Sequence, residues 1–82
     1  MGDLQVVYLT KSPVELYKIL KFENLAASGG EAKYLIADGL VRVNGAVETR
    51  KRKKIFPGDK IELSGICLEM RMAGAADQDG QQ

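Results

Sequence analysis

The chain has no histidine, no tryptophan, one cysteine and two prolines in 82 residues, and its aromatic content is three tyrosines and two phenylalanines. Each scarcity removes an option. Without histidine there is no His-based triad or imidazole general base, and one cysteine adds too little to supply a zinc site. Neither a catalytic residue, a metal ligand nor a cofactor is therefore expected. Cys67 cannot form an internal disulfide, so nothing ties the fold to an oxidising compartment. No apolar run approaches the roughly 18 residues of a membrane span. The segment Met1-Gly2-Asp3-Leu4 has neither the basic stretch nor the apolar core of a secretory leader, and a cytoplasmic location is expected. The length predicts one domain, placed at residues 1–72, with 73–82 as an aperiodic, disordered tail.

Charge of one sign is also scarce in the total, which is +1. Its distribution is not even. Between Lys33 and Lys60 there are eight basic and three acidic residues, a local +5, while the remainder carries −4. Five of the basic residues are consecutive: Arg50, Lys51, Arg52, Lys53 and Lys54. Such a run repels itself unless counterions or an anionic partner screen it. A solvated loop without a partner is the plain alternative.

Leu4 to Leu9 is β-branched and aromatic and reads as a strand. Ser12-Pro13-Val14-Glu15 has the form of a capping box, predicting a first helix from Pro13 to about Phe22. Ser28-Gly29-Gly30-Glu31 repeats that form. With Ala32, Leu35 and Ile36 at helical spacing and Gly39 as the stop, it predicts a second helix from Gly29 to Asp38. The period then changes to two. Val41 and Val43 flank Arg42, Asn44-Gly45 is a strong hairpin signal, and Val47 is expected to return to the same apolar face. Pro57-Gly58-Asp59 and Ser64-Gly65 mark further turns around Ile61 and Leu63. Ile66, Leu68, Met70 and Met72 alternate with Cys67, Glu69 and Arg71. Helices together and strands together predict an α+β fold, two helices on a small, mainly antiparallel sheet. The expected core is Leu16, Leu20, Leu35, Ile36, Val41, Val43, Ile61 and Leu63.

A helix entry with glycines, followed by a basic stretch and no catalytic set, points to anion binding. The backbone N–H groups at Gly30 and Glu31 could meet a phosphate, with Ser28, Gly29 and Gly30 forming the candidate site. Glu31 opposes this through its charge and by filling the site itself. The Arg50–Lys54 run offers three to five charges to a phosphate backbone. Tyr34 is the one ring in the basic half that could be exposed, and packing on the helix flank is the favoured placement for it. That scarcity argues against an open stacking platform and favours structured RNA, recognised through its backbone.

The segments Leu25-Ala26-Ala27-Ser28-Gly29-Gly30-Glu31-Ala32-Lys33, Val41-Arg42-Val43-Asn44-Gly45 and Pro57-Gly58-Asp59-Lys60-Ile61, with Ile36 and Gly39 between, resemble the S4 RNA-binding domain, the alpha-L motif. The likeness covers about Pro13 to Leu63 and is nearest to the small stand-alone bacterial members. It implies a non-catalytic domain that binds RNA, ribosomal or transfer RNA among the candidates, through the second helix and the hairpin after it. Lys33 matches a basic position on the second helix, Arg42 lies on the strand before the turn, and Arg50 matches a frequently basic position after it. Gly29 stands where the family often has arginine, which loses a phosphate contact. Lys51-Arg52 stands where a Pro-Ser pair is common, which adds charge. Lys18 and Lys21 are left as rim positions.

Two other classes remain open. Val43-Asn44-Gly45 and Pro57-Gly58-Asp59-Lys60-Ile61 also occur in ubiquitin-like β-grasp sulfur carriers, but their chemistry needs a terminal Gly-Gly and this sequence ends Gly80-Gln81-Gln82. A protein-interaction adaptor could use the same basic run on an acidic partner.

Overall fold

The computed structural model describes residues 3–73; the tail expected over 73–82 lies, but for Ala73, outside them. Nine elements follow in order: β1 (Asp3–Leu9), β2 (Val14–Glu15), α1 (Leu16–Phe22), α2 (Gly29–Ala37), β3 (Arg42–Val43), β4 (Ala46–Val47), β5 (Lys54–Ile55), β6 (Lys60–Leu63) and β7 (Ile66–Met72). Five strands form one sheet in the order β1-β7-β6-β3-β4, and β2 pairs with β5 in a small second sheet. All pairs are antiparallel except β1 with β7, which runs parallel from Asp3 opposite Ile66 to Leu9 opposite Met72. The two helices cover one face, giving the expected α+β arrangement.

Local signals act where they were read. Asn44 and Gly45 both have positive φ, 53° and 88°, the geometry of a two-residue hairpin turn that fits strand twist. The Asn44 amide also ties two turns together. Its Nδ2 donates to Asp59 Oδ1 at 3.0 Å, and its Oδ1 accepts from the Lys60 N–H at 2.9 Å. Helix α2 starts with Ser28 Oγ accepting from the Glu31 N–H at 3.1 Å, and the Glu31 carboxylate accepts in turn from the Ala27 N–H. It ends at Gly39, φ 80°, whose N–H donates to the Ile36 carbonyl while the Leu40 N–H donates to that of Leu35, a Schellman closure.

Three expectations are corrected. The first helix begins at Leu16, not Pro13. Ser12 does not cap it, and Val14–Glu15 instead pairs with Lys54–Ile55 as a strand. The first-turn N–H groups of Leu16 and Tyr17 donate to the carbonyls of Lys53 and Lys51, at 2.9 and 3.1 Å. A loop remote in sequence therefore supplies the cap. Second, Val47 does not rejoin the apolar face. The two-residue turn pairs Val43 with Ala46 and Arg42 with Val47, so Val47 shares the outer face with Arg42 and is exposed. Third, Leu35 packs at the rim of the core rather than within it. The core gains Val7, Leu9, Ile19, Ile55, Leu68 and Met70 beside Leu16, Leu20, Ile36, Val41, Val43, Ile61 and Leu63. Burying side chains of this size contributes roughly 1.5–3 kcal/mol each against exposure.

Candidate nucleic-acid interface

The capping of α1 decides where the basic run lies. Because the Lys51 and Lys53 carbonyls accept from Tyr17 and Leu16, the loop is clamped across the start of α1 and its side chains fan around that point. Tyr17, half-buried on α1, is the centre. Lys33 Nζ, from α2, stands 4.7 Å from the Tyr17 ring centroid; the Arg52 guanidinium, from the basic loop, 5.8 Å; and Lys18 Nζ 6.0 Å. A cation over an aromatic face gains about 0.5–1 kcal/mol at exposed sites, so the ring holds together charges that would otherwise repel. Glu15 sits at the edge of the group, 3.7 Å from both Lys18 Nζ and Arg52 Nη1.

The remaining basic residues divide. Lys51 is exposed and Lys53 half-buried beside this cluster, their carbonyls on α1, and Lys54 is exposed opposite Glu15 in the β2–β5 pair. Arg50 is engaged elsewhere. Its Nε donates to Glu48 Oε2 at 2.9 Å and its Nη2 to Glu48 Oε1 at 3.2 Å, a two-pronged pair reinforced by the Arg50 N–H. These hydrogen bonds from Arg50 pull the Glu48 carboxyl down to about 2 against the opposing effect of burial, and they raise Arg50. Arg42 is not part of the cluster. Strand alternation puts it on the face away from Val41 and Val43, opposite Glu62, so it looks out from the uncovered side of the sheet.

At the start of α2 the Ser28 hydroxyl and the Glu31 N–H satisfy each other, so the Glu31 N–H is not free for a phosphate as the sequence suggested. Gly29 lies against the Tyr17 ring, where an added Cβ would make ordinary contact at 3.7 Å, and Gly30 is exposed. Glycine is therefore not demanded there by close packing. Tyr34 is exposed on α2 rather than packed on the helix flank, the placement that was favoured for it. The residue that sequence reasoning missed is Tyr17. Its only local signal was its place among Leu16, Ile19 and Leu20, which does not reveal what covers the start of the helix. Among the described residues there is no group of three or more potential metal ligands, and no helix is long and apolar enough to cross a membrane.

The S4 domain family profile matches residues 7–70, most of the chain. The chain belongs to the S4 domain family. Its relatives include a protein of Escherichia coli strain K12 under the name "Putative RNA-binding protein YbcJ", 52% identical over 63 residues, which are 76% of this chain and 90% of that one. Another, from Bacillus subtilis strain 168, carries the name "Probable ribosome maturation protein RlbA" and is 33% identical over 53 residues, 65% of this chain and 75% of that one. The solution structure of YbcJ from E. coli, described as revealing an alpha-L motif involved in RNA binding, superposes with a TM-score of 0.60 at 38% identity. It covers 87% of this chain and 89% of its own. Two helices on a mainly antiparallel sheet are thus the alpha-L arrangement of an S4 domain, and the family is of the RNA-binding S4 type.

Proposed function

We propose that this S4 domain is a non-catalytic, cytoplasmic protein that binds structured RNA, ribosomal or transfer RNA, where α2 and the basic loop meet at Tyr17. The observation that carries the reading is the convergence on one ring of Lys33 and Arg52, two residues 19 positions apart in sequence. Lys51, Lys53 and Lys54 extend that positive surface, and their geometry suits a phosphate backbone more than base edges. Arg50 contributes only as far as it can share its guanidinium with Glu48. Arg42 is assigned no contact with the same RNA segment, because it looks out from the other side of the sheet. Ser28, Gly29 and Gly30 form the border of the surface rather than an anion site, since the Glu31 carboxylate sits there. The name of the B. subtilis relative favours ribosomal RNA among the candidates.

A labelled RNA hairpin titrated between about 50 and 200 mM salt tests this, since each phosphate neutralised on a duplex adds about −0.9 to the slope of log affinity against log salt. Lys33→Gln with Arg52→Gln is expected to reduce the steepness of that slope by about 2 and to weaken binding tenfold or more. No binding at low salt, or an unchanged slope in the double variant, overturns the reading.

A further inference from the structure

A groove of about 690 Å³ runs between the end of β1 and helix α1. Four lysines line it: Lys11, Lys18, Lys21 and Lys54. Two acids oppose them, Glu15 and Glu23, and Glu15 is already paired with Lys18 and Arg52. Lys11, Lys21 and Lys54 take part in none of the ion pairs among the described residues. At the end of α1, lining the same groove, Phe22 is 65% exposed. Helical spacing puts Phe22 over Lys18, which also pairs with Glu15, and the unpaired Lys21 over Tyr17, each couple four residues apart, so the exposed ring stands in a lysine-lined stretch of α1. The groove is continuous with the candidate interface, since Tyr17, Lys18 and Gly29 belong to both.

We propose that this groove holds an unpaired strand flanking the structured RNA, with one base stacked on Phe22 and the adjoining phosphates on Lys18 and Lys21. The proposal rests on the RNA reading above and extends it to a second contact of different chemistry. An exposed phenylalanine among lysines offers a nucleotide both of the groups it needs, a face for the base and a charge for the phosphate. An acidic peptide would use the lysines and leave the ring idle. Continuity with Tyr17 gives the strand its path, leaving the helical RNA at the Lys33–Arg52 cluster and passing along α1.

The test compares two labelled RNAs, a blunt hairpin and the same hairpin with a six-uridine overhang, at about 100 mM salt. Stacking of one base predicts roughly tenfold tighter binding of the overhang RNA. Phe22→Ala is expected to abolish that difference while leaving blunt-hairpin affinity and the melting curve unchanged, since the ring is largely exposed. Phe22→Trp introduces the only tryptophan of the chain, and its fluorescence is expected to be quenched by the overhang RNA and not by the blunt one. Oligouridine, but not oligoglutamate of equal length, is expected to displace the overhang. Equal affinity of the wild type for both RNAs, equal weakening of both by Phe22→Ala, absent quenching, or preferential displacement by oligoglutamate would each overturn the groove assignment. Failure of the wild type to bind either RNA would instead overturn the reading beneath it.

Discussion

Replacing Tyr17 by leucine separates the charges of the interface from their arrangement. Leucine keeps an apolar side chain on α1 against Gly29 but has no negative π-face. Lys33, at 4.7 Å from the centroid, lies well within the range of about 6 Å over which the ring attracts a cation; Arg52 at 5.8 Å and Lys18 at 6.0 Å lie near its limit. Assigning about 0.5–1 kcal/mol to Lys33 and a fraction of that to the other two gives a total of about 1–1.5 kcal/mol. In free protein this energy offsets mutual repulsion and fixes three long side chains in place. Without it the same three charges meet RNA from a wider range of rotamers, and each immobilised side chain costs about 0.5–1.5 kcal/mol on binding. The expected result is roughly 5- to 10-fold weaker RNA binding, from 1.4 kcal/mol per tenfold, with the salt slope unchanged because the number of phosphates neutralised is the same. Tyr17→Phe, which keeps the ring, is expected to bind within about twofold of wild type. Fluorescence anisotropy over a salt series measures both quantities. If Tyr17→Leu binds as wild type does, the ring organises nothing. If the slope becomes shallower by one or more, the substitution has removed a phosphate contact and the argument from arrangement is wrong.

Other consequences concern the scaffold. Asn44→Ala removes two side-chain hydrogen bonds and puts alanine at φ 53°, so urea denaturation should show a loss of about 2 kcal/mol; Asn44→Gly, relieved of the backbone strain, should lose about 1 kcal/mol. Gly45→Val forces a β-branched residue to φ 88°, and a loss of about 1–3 kcal/mol is expected in the same assay; full stability would refute the turn assignment. The Glu48 carboxyl titrates lower in the folded chain than when unfolded, so its contribution is present above the ordinary value of 4.5 and is lost as pH falls toward about 2. Because the Arg50 guanidinium is mostly in solvent, that contribution is discounted to about 1 kcal/mol. Thermal melts from pH 6 down to about 2 should show it, and Glu48→Gln should flatten that part of the profile.

What could be read from the sequence was local. Asn44-Gly45, Ser28 with Glu31, and Gly39 each act through bonds within a few residues, and each forms the structure its residue type predicts. The same strategy failed at Ser12-Pro13-Val14-Glu15, whose pattern is just as suggestive. There the start of the helix is governed by carbonyls more than thirty residues away, which no local pattern records. Val47 failed for a different reason. A two-residue turn pairs position 43 with 46, so the parity of the return strand was available from the turn and was misjudged by one residue. Among site residues, charge alone grouped Arg42, Arg50 and Lys33, and only the pairing of strands and the docking of the loop separate them. Tyr17 was invisible as a site residue because its partners come from α2 and from the loop after the hairpin, so its role exists only once both have packed.

The parallel pairing of β1 with β7 has a consequence for synthesis. Among the described strands β1 is made first, and its sheet neighbour is β7, made last, 63 residues later by register from Asp3 to Ile66. A growing chain can close the α2 turn and the Asn44-Gly45 hairpin early, but Leu4, Val6 and Tyr8 have no neighbour until Ile66 to Met72 have been translated. Loop closure over that distance sets the final step of assembly. During that interval both edges of β1 are open, where the folded sheet leaves one, and β1 carries no lysine or arginine to discourage other strands from pairing with it. Elongation at about 5–20 residues per second makes the interval several seconds, long enough for a nascent chain on a polysome to meet its neighbour. Slow translation of the last strand is therefore the circumstance in which this domain is most exposed to misassembly.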